Sequence, residues 1–176
     1  MANEDFVIEN GILNQYKGSG DDVVVPQGVT AIDDYAFMCC RGIKTVVLPE
    51  GLKDIGQSAF ASCSSLGSIV LPEGLTRLCG GTFEDCADLE SIELPDTITL
   101  MADRVFVGCE RLTSVSLPAG LKSIGEYAFA GCTALTELRF GGTMAAWNAL
   151  AKGEEWHLDS GISLVHCSDG DVAIDD

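Results

Sequence analysis

The sequence predicts an α/β solenoid in which five coils of 23 residues stack on one another, each with short parallel strands and a single helical turn. All five prolines recur at this interval without insertion or deletion: Pro26, Pro49, Pro72, Pro95 and Pro118. A phenylalanine and a cysteine keep the same interval: Phe37, Phe60, Phe83, Phe106 and Phe129, with Cys40, Cys63, Cys86, Cys109 and Cys132. A fixed repeat of this length is typical of a solenoid, because one copy alone cannot bury its apolar side.

The composition indicates one acidic, folded domain, with a net charge of -17 and 47% apolar residues. Ten Lys and Arg face 27 Asp and Glu, which argues against nucleic acid and anionic membranes as partners, since both need a basic surface. The chain has no apolar run long enough for a membrane span, so we expect no membrane insertion. No basic run followed by an apolar segment opens the chain, which predicts no signal peptide and, on the sequence alone, a cytoplasmic protein. A trimmed exported precursor with a new Met is the alternative.

Three parts of one structural domain are predicted. Residues 1–24 are interpreted as an N-terminal hairpin cap, because Asn10-Gly11 between two apolar runs is typical of a type I′ turn. Residues 25–139 hold the five repeats, and residues 140–176 form a C-terminal helix-hairpin cap. In the second cap Thr143 is a candidate N-cap for a helix over residues 144–152 with Trp147 on its apolar side, and residues 162–175 are expected to form a hairpin. Such caps cover the apolar ends of a solenoid.

Each copy is expected to contain the same three elements. Residues 49–51 and 72–74 read Pro-Glu-Gly, which predicts a tight turn with its Gly at positive φ. Residues 127–132 are too few for a stable isolated helix, so one α or 3₁₀ turn held by its Phe is predicted. Residues 112–117 alternate apolar and polar, which predicts a strand whose Leu, Val and Leu point inward and which pairs in parallel with its equivalents.

The template LPxGLxxIGxxAFxxCxxLxxIx, repeated over residues 25–139, resembles the BspA-type leucine-rich repeat of bacteria and some protists. The segments FVIENGIL and VVVPQGVTAIDDYAF near the start, and AAWNAL and VHCSDG near the end, are similar to the caps of gut-bacterial members. The resemblance implies a right-handed leucine-rich-repeat solenoid. It also implies a role in adhesion and protein–protein interaction, at the cell surface or after secretion. It carries over no catalytic residues.

The cysteines of the repeat are interpreted as small buried thiols, because stacked Cβ vectors run parallel and a disulfide between them would be strained. Cys39, Cys79 and Cys167 lie outside this series, and whether they are redox active is left open. No catalytic, cofactor or metal site is predicted. His166-Cys167 with Asp169 falls short of the four ligands of a closed zinc site. Cys79 has no histidine within the repeats to act as its base.

The candidate binding surface is the outward side of the predicted sheet, where two columns of residues face solvent. The first column is Thr45, Ser68, Ser91, Ser114 and Glu137, and the second is Val47, Val70, Glu93, Ser116 and Arg139. The second column changes from apolar to charged, which favours a protein- or peptide-docking face with the two valines as its apolar part. A plain solvated face is the alternative. The irregular fourth copy offers a second candidate surface around Leu100, Met101 and Val107, with ordinary sequence drift as the alternative.

These features favour a non-enzymatic protein-interaction module whose protein partner and oligomeric state the sequence leaves open. An inert structural or spacer module is the alternative. A carbohydrate-binding or hydrolytic protein is the third hypothesis. It requires exposed aromatic side chains beside carboxylates in a cleft, with Tyr16, Tyr35, Tyr127 and Trp156 as candidates.

Overall fold

The computed structural model describes residues 4–175, so residues 1–3 and 176, which belong to the predicted caps, lie outside the described chain. The N-terminal hairpin is confirmed: β1 (Phe6–Glu9) pairs antiparallel with β2 (Ile12–Tyr16). Asn10 and Gly11 between them have φ angles of 52° and 78°, and a type I′ turn requires positive φ at both positions.

One side of the solenoid, which we call the sheet face, contains one strand from each of seven successive turns of the described chain. These strands are β3 (Asp22–Val24), β5 (Thr45–Val47), β7 (Ser68–Ile69), β9 (Ser91–Glu93), β11 (Ser114–Leu117), β13 (Glu137–Phe140) and β15 (Leu164–Cys167). Neighbours pair in parallel, as predicted, in two ladders, β3-β5-β7 and β9-β11-β13-β15. The predicted C-terminal hairpin is also present, because β16 (Gly170–Ala173) pairs antiparallel with β15.

A second side, the short-strand side, carries strands of two residues that continue from β2. These strands are β4 (Ala31–Ile32), β6 (Asp54–Ile55), β8 (Arg77–Leu78), β10 (Leu100–Met101), β12 (Ser123–Ile124) and β14 (Ala151–Lys152). They also form two ladders, β1-β2-β4-β6 and β8-β10-β12-β14. The stack therefore has about seven turns rather than the five predicted, because strands of both expected caps continue the ladders. The exact boundaries of the three predicted parts stay a prediction.

Strand pairing on both sides is interrupted between the same two coils, since β6 does not pair with β8 and β7 does not pair with β9. Beside the sheet face the Glu90 N–H still donates to the Gly67 carbonyl across this level, at 3.3 Å. On the short-strand side, the residue that follows a strand donates its N–H to a carbonyl of the strand one coil earlier. Examples are Gly56 to Ile32 (2.8 Å) and Ala102 to Leu78 (3.0 Å). Within residues 4–175 no such bond joins Cys79 to Ile55. We call this level of the stack the ladder break.

The third side, the turn side, corrects the predicted helical turn. Residues 127–132 form consecutive turns in which Tyr127 and Gly131 have left-handed φ angles of 54° and 72°. The Phe129 N–H between them donates to the Trp156 carbonyl of the next coil at 2.8 Å. Alternate N–H groups thus bond to the next coil, while those of Ala130 and Cys132 close turns within the coil on the Tyr127 and Phe129 carbonyls (3.1 Å each). The turn side also bridges the ladder break, because the Phe60 N–H donates to the Thr82 carbonyl (3.0 Å).

Helix is confined, in the part of the chain described, to α1 (Met144–Ala149), so the fold is a β-solenoid with very little helix rather than an α/β solenoid. The predicted N-cap is confirmed, because the Thr143 hydroxyl accepts from the Ala146 N–H at 3.2 Å, and Trp147 is buried. The predicted helix is three residues too long. Leu150 is already extended, and the two residues after it form β14 against β12.

The core is a stack of aromatic rings along the inside of the turn side. The rings of Phe83 and Phe106 are nearly parallel, with centroids 5.7 Å apart and an interplanar angle of 5°. Tyr16 packs on Phe37 at one end of the stack, and Trp156 packs edge-on against Phe129 at the other. The inward residues predicted for the strand over residues 112–117, Leu112, Val115 and Leu117, are all buried.

The prediction of positive φ in the Pro-Glu-Gly turns is wrong at Gly51 and Gly74, neither of which has it. At Gly74 the reason for glycine is close packing, because an added Cβ would lie 2.4 Å from the Leu52 carbonyl oxygen of the preceding coil.

Candidate functional site

The sheet face brings together all ten residues predicted for the binding surface, in the two predicted columns. Strand pairing aligns Thr45 with Ser68 and Ser91 with Ser114 in the first column. Glu137 is the first residue of β13, which pairs with β11 and continues the column. Strand pairing also aligns Glu93 with Ser116 and Ser116 with Arg139 in the second. Three of the ten, Thr45, Ser114 and Ser116, are half-buried, and the others are exposed. Their role in binding stays a prediction.

Each column is longer than the sequence reasoning found. Asp22 and Val24 pair with Thr45 and Val47 and extend the columns toward the N-terminus. The signal was present, because Asp22-Val23-Val24 precedes Thr45-Val46-Val47 by 23 residues, but the segment had been assigned to the cap. Leu164 and His166 extend the columns at the other end. Here the interval from β13 to β15 is longer than the repeat, so the periodicity gave no signal.

Three exposed valines form a row at the N-terminal end of the second column, and we call them the valine stripe: Val24, Val47 and Val70. Their side chains are 63%, 56% and 80% exposed. Val24 pairs directly with Val47, and Val70 follows β7 at the equivalent position. Apolar side chains scattered singly on a surface are ordinary. A row of three in register on adjacent coils is an apolar surface suited to contact with another molecule.

The valine stripe ends in a depression of about 290 Å³ that we call the acidic pocket. Its lining residues are Val70, Leu71, Glu73, Glu93, Leu94, Pro95 and Asp96. Leu71, Leu94 and Pro95 are buried beneath it, and the three carboxylates are exposed at its rim. Among residues 4–175 no ion pair involves any of these three carboxylates. The pocket also lies at the ladder break, because Val70 and Glu93 belong to the coils on either side of it.

The cationic groups beside the first column are paired. Lys44 Nζ lies 2.7 Å from Asp21 Oδ2. The Arg111 guanidinium contacts both Asp88 and Glu90, at 3.2 Å each. The N-terminal half of the sheet face therefore presents unpaired negative charge next to an apolar row.

The C-terminal end of the second column carries a histidine between two carboxylates. His166 Nε2 lies 3.1 Å from Glu137 Oε2, and Nδ1 lies 2.9 Å from Asp171 Oδ1. The hydrogen bond to Asp171, followed by that to Glu137, raises the pKa of His166 above its ordinary value. A shallow depression of about 440 Å³ beside it is lined in part by Arg139 and Cys167. This end of the face thus mixes charges of both signs.

Burial favours the protonated form of the buried and half-buried cysteine thiols. Burial raises the pKa of Cys63 and of Cys132 to about 12. Burial likewise raises the pKa of Cys79, which is half-buried rather than exposed. In the first coil Cys40 is only half-buried, unlike its four equivalents. Since the thiolate is the nucleophilic form, none of these pKa shifts activates a thiol. No group of three or more metal-ligating side chains occurs within residues 4–175.

Two other predicted features are only partly assembled. In the fourth copy Leu100 is exposed and Val107 half-buried, but Met101 is fully buried, so the expected surface of three residues is wrong at its centre. Of the candidate sugar-stacking aromatics, Tyr16 and Trp156 are buried in the core. Tyr127 is half-buried and Tyr35 is exposed four coils away from it.

Several solved structures of bacterial leucine-rich repeat proteins are similar to this chain. The chain is 34% identical to a leucine rich cell surface protein from Faecalibacterium prausnitzii, with a TM-score of 0.77 over 80% of this chain and 38% of that one. It is 30% identical to a leucine rich repeat protein of T. pallidum, with a TM-score of 0.71 over 82% of this chain and 73% of that one. The pneumococcal vaccine antigen PcpA is 25% identical, with a TM-score of 0.68 over 78% of this chain and 37% of that one. No curated protein matches the chain.

The fold and the repeat therefore define a leucine-rich-repeat solenoid. Residues 15–150 match the model of the BspA type leucine rich repeat region in six copies, and the chain belongs to that family. It spans 38% of the length of the F. prausnitzii protein. None of the helices in residues 4–175 has the length and apolar character that crossing a membrane requires.

Proposed function

We propose that this chain is a non-enzymatic protein-interaction module that binds a protein partner through the sheet face. The observation that carries the proposal is the valine stripe. Val24 and Val47 lie on outward positions of strands and Val70 directly follows β7, while neighbouring inward residues already bury the core, so these three side chains contribute little to folding. Uncovered apolar rows of this kind are the surfaces that protein partners cover. Solenoids commonly bind through such extended faces.

The family and the solved relatives support a protein-interaction or surface repeat module at the coarse level. One relative is a cell surface protein and another a vaccine antigen. By analogy we propose a location at the cell surface or outside the cell, and a role in adhesion, for the protein that contains this chain.

Site-specific photocrosslinking tests the proposal. A photoreactive benzoylphenylalanine replaces Val70 on the sheet face, and a matched variant carries it at Leu100 on the short-strand side. We expect the Val70 variant to form a discrete adduct with a protein from the source cell or its host. Excess unlabelled chain should compete this adduct, and the Leu100 variant should not form it. Equal labelling at both positions would contradict the proposal.

The alternative is an inert spacer, and charge reversal on the sheet face distinguishes it from an interaction module. A spacer predicts that charge reversal at Glu93 or Arg139 leaves every measured interaction unchanged. An interaction module predicts that at least one reversal abolishes the competition described above.

A further inference from the structure

We propose that the occupant of the sheet face is an extended, basic polypeptide segment, whose apolar side chains cover the valine stripe and whose Lys or Arg enters the acidic pocket. The inference rests on the proposed function and names the chemistry of its partner. It follows from the direct continuity between the stripe and the pocket, which share Val70.

The dimensions of the stripe fit a short stretch of extended chain. Parallel strands lie about 4.8 Å apart, so three valines on successive coils span about 10 Å. An extended chain rises about 3.3 Å per residue. A partner segment running along the column would therefore cover the stripe with about three residues. Successive side chains of an extended chain point to opposite faces, so the next side chain on the same face, two residues further on, reaches the acidic pocket.

The acidic pocket has the two parts that a long basic side chain requires. Its floor holds the exposed side chain of Val70 beside the buried Leu71, Leu94 and Pro95. Its rim carries the carboxylates of Glu73 and Glu93, among others. Lys and Arg lay their apolar stems along apolar surface and keep their charged heads in polar surroundings. The stem would cover the floor, and the head would pair with carboxylates that have no ion-pair partner among residues 4–175.

Charge complementarity also argues against a second copy of this chain as the occupant. The chain has a net charge of -17, and the nearby cations Lys44 and Arg111 are already paired. A face-to-face dimer would bring the rim carboxylates of one copy toward the negative surface of the other. Juxtaposed like charges disfavour an interface. A basic segment gains attraction at the same place.

Peptide selection on the full chain tests the inference. Random dodecapeptides displayed on phage are selected against the immobilised protein, and enriched peptides are synthesised and titrated by fluorescence anisotropy. We expect enriched peptides to be net positive, with a Lys or Arg in alternate-position spacing with two apolar residues. Val70→Thr and Glu93→Lys should each weaken their binding about tenfold or more, which corresponds to about 1.4 kcal/mol. The matched controls Leu100→Thr and Glu126→Lys, on the other two sides, should leave it unchanged, and circular dichroism should show all four variants folded.

The possible failures are distinguishable. Neutral or acidic peptides that Val70→Thr weakens would overturn the basic partner and leave the proposed function standing. No enrichment, or binding indifferent to both sheet-face variants, would overturn both proposals. A concentration-dependent dimer, seen by light scattering and abolished by Val70→Thr, would assign the stripe to a second copy and overturn the inference.

Discussion

The Sγ atom of Cys86 lies 3.2 Å from the carbonyl oxygen of Phe60 in the preceding coil, and its thiol donates a hydrogen bond to that oxygen. The same bond recurs from Cys109 to Phe83 (3.2 Å) and in the coils on either side. The Phe60 carbonyl also accepts from the Cys63 N–H of its own coil. The repeat cysteine is therefore a donor that joins consecutive coils beside the aromatic stack, as well as a small buried side chain.

Replacing one such donor should destabilise the stack measurably. Cys109→Ala removes one hydrogen bond and the packing of a buried sulfur, while the Phe83 carbonyl keeps its backbone donor. We expect a loss of about 1–2 kcal/mol in the free energy of unfolding, measured by urea denaturation. Cys39→Ala, at an exposed thiol, is the control and should stay within about 0.5 kcal/mol of the parent. Equal effects at the two sites would show that the bond contributes nothing.

The buried thiols also predict a loss of stability in alkali. An unfolded thiol titrates near pH 8.5, whereas Cys63 and Cys132 in the folded chain have a pKa of about 12. Between these values the unfolded state has lost a proton that the folded state retains, so stability falls as pH rises. Each thiol contributes about 1.4 kcal/mol per pH unit. Urea unfolding at several pH values above about 9 should show this fall in the free energy of unfolding. In the double variant C63A/C132A the fall per pH unit should be smaller by the contribution of two thiols. An unchanged slope would contradict the assignment.

Close packing between coils predicts opposite outcomes for two Gly→Ala substitutions. An added Cβ at Gly125 would lie 2.3 Å from the backbone carbon of Ala102, whereas at Gly51 it would meet nothing within 4 Å. Gly125→Ala should cost about 1–3 kcal/mol, because the backbone it meets must move. Gly51→Ala should be neutral or stabilise by about 0.4–1 kcal/mol through the entropy of the unfolded chain. Thermal and urea denaturation of the pair provide the measurement. Similar stabilities would mean that coil spacing tolerates the extra methyl.

The raised pKa of His166, which we attribute to its hydrogen bonds with Asp171 and Glu137, should be measurable by NMR titration. Asp171 and Glu137 raise the pKa of His166, so its protonated form persists above the ordinary value near 6.5. The stabilisation is fully present below that value and is lost as the pH rises through the folded pKa. Asp171→Asn should lower the pKa of His166 toward the ordinary value. Ser168→Ala, at an exposed turn residue nearby, should leave it unchanged. A pKa of His166 at or below about 6.5 in the parent chain would contradict the pairing with the two carboxylates.

Hydrogen exchange should locate the ladder break. The Thr99 N–H donates to the Thr76 carbonyl at 2.9 Å, but within residues 4–175 the Thr76 N–H has no equivalent acceptor one coil earlier. The amide of Thr76 should therefore exchange faster than that of Thr99 in native buffer, and Cys79 faster than Ala102. Amide exchange followed by NMR measures both matched pairs. Equal protection within the pairs would mean that the two ladders are continuous in solution.

The repeat period was enough to predict the parallel rungs, the inward residues and the two outward columns, because each depends only on which positions recur. It failed where neighbouring coils, rather than local sequence, determine the backbone. The turn side around Phe129 is an example, because alternate N–H groups there bond to the next coil and the left-handed φ angles of Tyr127 and Gly131 interrupt a regular helix. Val24 was missed because its segment was assigned to a cap, and His166 because the last interval is longer. Nothing in the sequence explains why both ladders stop at the same level.

The ladder break also has a mechanical meaning. At this level the turn-side bonds, the aromatic stack and the Glu90–Gly67 bond still join the two coils, but strand pairing does not, so we expect the solenoid to bend more easily here than at other levels. Val70 lies on one side of the ladder break and Glu93 on the other. A partner segment bound across both residues would connect the two coils. Binding to the sheet face would therefore also stiffen the solenoid at this level.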